Sequence, residues 1–369
     1  MQVQIIPSQQ TTSSGGVKYN IVFLGRNNFD GRSDTLVYTA PVDNTNRQTR
    51  DEITNVIAMG LMPFLVRNNQ QKYMMFDYSN KNKLIMQSID KYKNWVYAIQ
   101  GNTNLTSNAT ATLFAGTGSV SAAHITDLWK VKIIASTAIS SSQYETATYA
   151  FNGNTLITNL SGLIVKSIND HWSYGLEPAY YSSTYSNVKS QFSFAPGVEF
   201  NIFPYTESVN HLFTVKLRAQ PLYNIYIDST VFNKTKEPFL NSRLDATYTR
   251  IEKWGNVSVK LTASDYLNRT KAYRFDGLAS LNVRISKGLF INLLGNASII
   301  NNQISLSRKK LTPEQIVLNQ NEQATNYTFG IQFGFTYTFG SIFNNIVNPR
   351  FESGINIDPE VGNSESQTN

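Results

Sequence analysis

The chain has 369 residues with 41% hydrophobic residues and a formal net charge of +7, enough for one large domain plus a small one. It contains no cysteine, which excludes disulfides, Cys-ligated zinc and thiol chemistry, and its basic residues form only short runs such as that at Lys309-Lys310, which argues against nucleic acid as a partner. Charged residues are 15% and aromatics 12%, a balance suited to strands that are apolar on one side and uncharged polar on the other.

Residues 1–80 do not read like the rest. Short strands over 3–6, 17–23 and 35–38 are separated by the turns Ser13-Ser14-Gly15-Gly16 and Asp30-Gly31. A helix follows, opened by a capping box of Thr49 and Glu52 and carrying Ile53, Val56, Ile57, Leu61, Phe64 and Leu65 at helical spacing. Pro63 removes a backbone hydrogen bond, so the pattern predicts a kink there or an end near Met62. Together these make a small α/β domain over residues 1–85, able to bury one helix face on a sheet.

From Trp95 onward only strand patterns appear, about twelve of them, with weaker ones over 109–121 and 155–168. The clearest is residues 327–339, where Tyr327, Phe329, Ile331, Phe333, Phe335, Tyr337 and Phe339 alternate with small or polar residues. A two-residue period of this kind fits a soluble sandwich, with the aromatic face in a core. It equally fits a transmembrane barrel, with that face in lipid and the polar face lining a lumen. No stretch approaches the roughly 18 apolar residues of a membrane helix, and the mean hydropathy of -0.27 does not separate the two, because a barrel's alternating faces cancel.

Three features favour the barrel. Tight turns such as Ser286-Lys287-Gly288 and Trp254-Gly255-Asn256 alternate with longer polar loops, for instance 305–326. Aromatics gather beside the short turns: Trp95, Trp129, Trp172, Phe203, Trp254, Tyr337 and Phe339 read as a membrane-interface girdle. An even strand number returns the chain to the side it started from. The expected architecture is therefore mainly β: an antiparallel transmembrane β-barrel of about 12 strands over 86–340, behind the α/β domain. Both that domain and the tail, 341–369, are expected in the periplasm, the tail partly disordered. Met1 leads into Val3-Gln4-Ile5-Ile6-Pro7 without a basic start and apolar core, so an outer-membrane location implies a leader upstream.

The run 335–351, Phe335-Thr336-Tyr337-Thr338-Phe339-Gly340-Ser341-Ile342-Phe343-Asn344-Asn345-Ile346-Val347-Asn348-Pro349-Arg350-Phe351, resembles the end of a family of largely uncharacterised, porin-like outer-membrane barrels from Bacteroidota. Trp95-Val96-Tyr97, Thr126-Asp127-Leu128-Trp129-Lys130, Asp170-His171-Trp172-Ser173, residues 19–25, Asp34-Thr35-Leu36 and Gly60-Leu61-Met62 are similar to that family too. The resemblance implies a barrel with a small N-terminal periplasmic domain, and its motifs are structural, with no catalytic residue to transfer. Relatives start further upstream, and the tail here runs past Phe351.

Chemistry is sparse. The three histidines, His124, His171 and His211, lie far apart and near predicted turns, without metal-ligand spacing. His171 and Ser173 share a strand face, the spacing seen in outer-membrane phospholipases, but with Trp172 facing lipid both point inward at a rim, so a turn role is favoured and no enzyme is predicted. Gly15-Gly16 and Gly116-Thr117-Gly118 lack the Lys and helix of a phosphate loop, Asp30, Asp34 and Asp43 lack calcium-loop spacing, and no metal or cofactor is expected.

The functional clue is the charge opposite the apolar stripes. Lys130, Lys132, Lys216, Arg218, Arg243, Lys260 and Arg284 outnumber Glu177, Glu199, Asp245 and Asp276 as candidate lumen-lining residues. If a passage remains open, the excess predicts a porin-like passive channel for small solutes with mild anion preference. If these charges pair and fill a narrow lumen, the protein is a closed structural or assembly barrel whose residues 1–80 dock a periplasmic protein. Membrane lipid is the other expected partner, and a soluble β-sandwich binding module the third reading.

Overall fold

In a computed structural model the chain is described over residues 2–340, apart from 13–14, 27–28, 30, 67–91, 147–148, 209–210, 253, 270, 287, 313–314 and 317–320. Ser13-Ser14, Asp30, Lys287, the 85/86 boundary and the tail 341–369 therefore lie outside the described residues.

The N-terminal unit is an antiparallel sheet of β1 (Gln2–Thr11), β2 (Val17–Arg26) and β3 (Ser33–Ala40) in that order, followed by α1 (Asn46–Val66). Alternation along β2 turns Ile21 and Phe23 into a core with Phe29, Val56 and Phe64; Phe23 is 0% and Ile21 1% exposed. Gly60 lets the helix approach, because a Cβ there would fall 2.1 Å from Phe23 Cζ. Two helix expectations are corrected. The capping box is one turn earlier: the Thr45 N–H donates to Gln48 Oε1 at 2.8 Å and the Gln48 N–H to Thr45 Oγ1 at 3.3 Å, and Thr49 and Glu52 are interior. Pro63 does not end the helix, which runs on to Val66 with Phe64 buried against the sheet; a proline in the last turn breaks little of the ladder.

The second unit is one antiparallel sheet of twelve strands, each paired with its neighbours in sequence. They are β4 (Trp95–Ser107), β5 (Ala111–Ile125), β6 (Trp129–Thr146), β7 (Tyr149–Ser167), β8 (Trp172–Ser183), β9 (Val188–Asn201), β10 (His211–Tyr226), β11 (Lys236–Glu252), β12 (Gly255–Tyr266), β13 (Tyr273–Ser286), β14 (Leu289–Ile300) and β15 (Tyr327–Tyr337). The weaker patterns at 109–121 and 155–168 are β5 and β7. Up-and-down order sends connections alternately to two ends: a tryptophan rim, carrying 126–128, 168–171 and 202–210, and a loop rim, carrying 184–187, 227–235, 267–272 and 301–326.

Following directly opposed residues, Ser173, Glu199, Lys216, Asp245, Thr262, Asp276, Ser298 and Thr328 form one cross-strand row. It starts beside the tryptophan rim at Ser173 and ends beside the loop rim at Thr328. The strands are thus staggered, as tilted strands of a barrel wall are. The expected closed barrel, however, is not formed: the sheet is not closed, and β4 and β15 stand at its edges without a shared ladder among the described residues. Alternation specifies which face is apolar, whereas closure needs the edges to meet in register, and the Gly101-Asn102-Thr103-Asn104 half of β4 has little apolar pattern to fix one.

Candidate functional site

The two faces of the sheet differ in kind. On the apolar face Ile99 is 83%, Ile331 71%, Phe329 71% and Phe333 62% exposed, far from the few scattered apolar residues of an ordinary surface. All four tryptophans, Trp95, Trp129, Trp172 and Trp254, sit at one rim with Phe203, Tyr337 and Phe339, the aromatic set expected from sequence. Trp172 meets Phe200 at 4.7 Å between ring centres, Tyr337 meets Phe339 at 5.4 Å, and Lys166 covers Trp129 at 5.3 Å. A second band, unforeseen from sequence, rings the loop side through Tyr180, Phe192, Tyr223, Tyr273 and Tyr327; the register, Tyr180 opposite Phe192 opposite Tyr223, aligns residues whose neighbourhood a single strand does not reveal.

On the polar face, β8 to β11 carry the charge. Arg218 on β10 makes ion pairs with Glu177 on β8 and Asp245 on β11. Lys216 joins Glu177 at 3.2 Å, Arg243 Nε reaches Asp245 at 3.2 Å, and Thr262 Oγ1 donates to Asp245 at 2.8 Å. To reach Glu177 the guanidinium must pass over β9, and it does so at the small residues Ala195 and Gly197: a Cβ on Gly197 would lie 2.6 Å from Arg218 Cγ. Arg218 is 12% and Asp245 6% exposed, so these charges are shielded and held by one another. Asp276 forms a smaller set with Arg274 at 2.8 Å and Ser298 at 2.7 Å.

The remaining sequence-predicted residues are less engaged. Glu199 accepts from the Tyr205 hydroxyl at 3.1 Å. Tyr205 comes from the helical turn Tyr205–Glu207 at the tryptophan rim, and burial, with Glu199 beside it, pushes its phenol above the usual tyrosine range. Lys130, Lys132 and Lys260 form no salt bridge among the described residues, and Arg284 lies 5.9 Å from the Phe290 ring centre. His171 and Ser173 share a rim without joining: His171 Nδ1 meets the Asn201 carbonyl at 2.8 Å and Ser173 Oγ meets the Tyr205 hydroxyl at 3.3 Å. No group of metal ligands occurs among the described residues.

The loop rim is the best-packed part of the sheet unit. The start of the β14–β15 connection turns inward, so that Ile304 is buried with Leu222, Phe239 and Ala272, a cluster against which Tyr266 packs. Asn187, in the left-handed region at φ 58°, ties three connections together: its Nδ2 donates to the Asp228 and Ser305 carbonyls at 3.0 and 2.8 Å, and its Oδ1 accepts from the Asp228 N–H at 2.8 Å. Thr230, fully buried, bridges to Ser307, and Lys309 pairs with Asp228 at 2.9 Å. The polar composition of 305–326 reads as a long loop, and apolar residues such as Ile304 and Leu306 without a period do not announce where it folds.

Comparison with known proteins adds no family: no family model matches this chain, and no curated protein does.

Proposed function

We propose that the protein is an integral outer-membrane β-barrel, its β4 and β15 edges joined in the bilayer and its lumen occluded at the loop rim. The observation that carries this is the inversion of the sheet: large apolar side chains stand exposed on one face while ion pairs are shielded on the other. In water such a face is a liability; in lipid it is the solvated face. Along β15, Tyr327 to Tyr337 spans about 33 Å of strand, or about 25 Å across a bilayer at a tilt of about 40°, which matches the apolar band of outer-membrane barrels. Edge pairing follows because unpaired strand edges do not persist in hydrocarbon.

Of the two functional readings, the Leu222–Phe239–Ile304 cluster supports the closed barrel, an anchor whose N-terminal domain docks a periplasmic protein. The resemblance to Bacteroidota barrels points the same way for location. A passive channel with anion preference is the second reading, favoured by Lys130 and Lys132, which form no salt bridge among the described residues, and it requires Ile304 and its neighbours to leave the mouth. Planar-bilayer conductance of the refolded full-length protein separates them. A silent protein that conducts once 303–325 is replaced by a short Gly-Ser turn supports occlusion by the loop. Stable steps from the unaltered protein, anion-selective and weakened by Lys216→Glu with Arg218→Glu, support the channel.

A further inference from the structure

The charge network leaves a hollow on the polar face. A cavity of about 380 Å³ begins at Thr126 and Asp127 on the tryptophan rim and reaches Arg218; a second of about 330 Å³ continues it past Lys132 to Gln220, sharing Leu163, Glu177 and Ala195 with the first. Further along β10, at Leu222, lies the buried cluster with Phe239 and Ile304. The first cavity takes in Thr126, Asp127 and Lys130, all exposed at or beside the tryptophan rim. A concave, half-apolar hollow with convergent polar groups is the form ligand sites take.

Its lining carries one cation more than it has carboxylates: Lys130, Lys132, Lys216 and Arg218 against Glu177, Glu199 and, in the rim turn, Asp127. Glu177 is already engaged by Lys216 and Arg218, and Glu199 receives the Tyr205 hydroxyl. Lys130 and Lys132 lie two apart on β6, hence on one face, and Lys130 lines the first cavity with Lys216 and Glu199 while Lys132 lines the second. Lys130 and Lys132, with no salt bridge among the described residues, and Lys216, which shares Glu177 with Arg218, are stabilised by a further anion beside them. The planar fork of Arg218, the group shaped for a carboxylate, is taken up by Glu177 and Asp245, which leaves point-charge donors suited to a compact phosphate. Ser167, Ser173 and Tyr205 add hydroxyls, and Leu163 and Val165 an apolar wall.

The geometry points to a binding site for a phosphomonoester entering from the tryptophan rim, its phosphate among Lys130, Lys132 and Lys216 and its organic part against Leu163 and Val165. The inference deepens the reading above and rests on it in one respect, that the polar face is enclosed. The test is calorimetric titration of the full-length protein, refolded in detergent, with glycerol 3-phosphate, inorganic phosphate and glycerol, and with dihexanoyl phosphatidic acid to separate a soluble ligand from a lipid headgroup. Glycerol 3-phosphate binds and glycerol does not; Lys130→Gln and Lys132→Gln each weaken binding about tenfold, equivalent to about 1.4 kcal/mol, while Lys166→Gln on the outer face leaves it unchanged. Tighter binding of the lipid probe, with the same dependence on Lys130 and Lys132, keeps the site and assigns its source to a headgroup. Absence of binding by every phosphate probe, or affinity indifferent to Lys130→Gln and Lys132→Gln, overturns the site. Electrophoresis of the same samples with and without boiling reports folding separately, so a protein lacking heat-modifiable migration counts against the barrel and not against the site.

Discussion

The N-terminal unit and the twelve-stranded sheet are built from the same strand alternation and put it to opposite use. In the first, Ile21 and Phe23 alternate inward and vanish beneath α1; in the second, Ile331 and Phe333 alternate outward and stand more than half exposed. Polar groups invert with them. Asn20 and Lys18 of β2 lie on the face away from the helix core, whereas Arg218 and Asp245 lie shielded among ion pairs. A two-residue period specifies a two-faced strand and nothing about which face meets water. What decides is whether another element covers the apolar face: α1 does so for β1–β3, and no element of the described chain does so for β4–β15.

The largest effects test each unit at its own core. Phe23→Ala is expected to destabilise the N-terminal unit by about 3–5 kcal/mol, read as a shifted denaturant midpoint, while Phe333→Ala on the sheet shifts the midpoint in water-like detergent solution far less. Arg218→Ala strands Glu177 and Asp245 and is expected to cost about 3–5 kcal/mol, measured as a lower temperature of heat-modifiable unfolding. The triple change Glu177→Gln, Arg218→Met and Asp245→Asn removes the whole set together and recovers most of that loss. Equal losses in the single and triple variants would show that the network is not a shielded, mutually held unit.

The comparison also explains what the sequence made legible. The polarity of each face is readable because Phe329, Ile331, Phe333 and Phe335 alternate without interruption, and the helix is readable from Ile53, Val56, Ile57, Leu61 and Phe64 at helical spacing. Its start was misplaced by one turn because Thr45-x-x-Gln48 and Thr49-x-x-Glu52 are both capping boxes in sequence, and only the backbone bonds of Thr45 choose between them. Of the candidate lining residues, Glu177, Lys216, Arg218, Arg243 and Asp245 come together because register sets them side by side. That Arg218 crosses β9 depends on Ala195 and Gly197 leaving room, a three-strand relation invisible along any one strand. The inward placement of Ile304 and Ser305 rests on single contacts, the apolar cluster and the Asn187 amide, that no periodicity announces.

A smaller change sharpens the contrast of solvents. Ile331→Arg, midway along β15, is expected to cost about 2–4 kcal/mol in phospholipid vesicles and almost nothing in the N-terminal unit's aqueous surroundings at the comparably exposed Val37; urea unfolding in vesicles measures both. The smallest is Thr45→Ala, which loses the capping bonds of α1 and is expected to cost about 1 kcal/mol without altering heat-modifiable migration of the sheet.

The most direct test of the central claim uses the four native tryptophans, all at one rim. Fluorescence of the full-length protein in vesicles of lipids brominated at shallow or deep chain positions reports how far each indole lies from the bilayer centre. The account predicts strong quenching by shallow bromines and weak quenching by deep ones, reversed for a variant that keeps a single tryptophan, placed by Phe333→Trp, with the native four changed to Phe. Tryptophans indifferent to bromine at every depth, in a folded protein carried with the vesicles, would contradict the lipid-facing assignment of the apolar face.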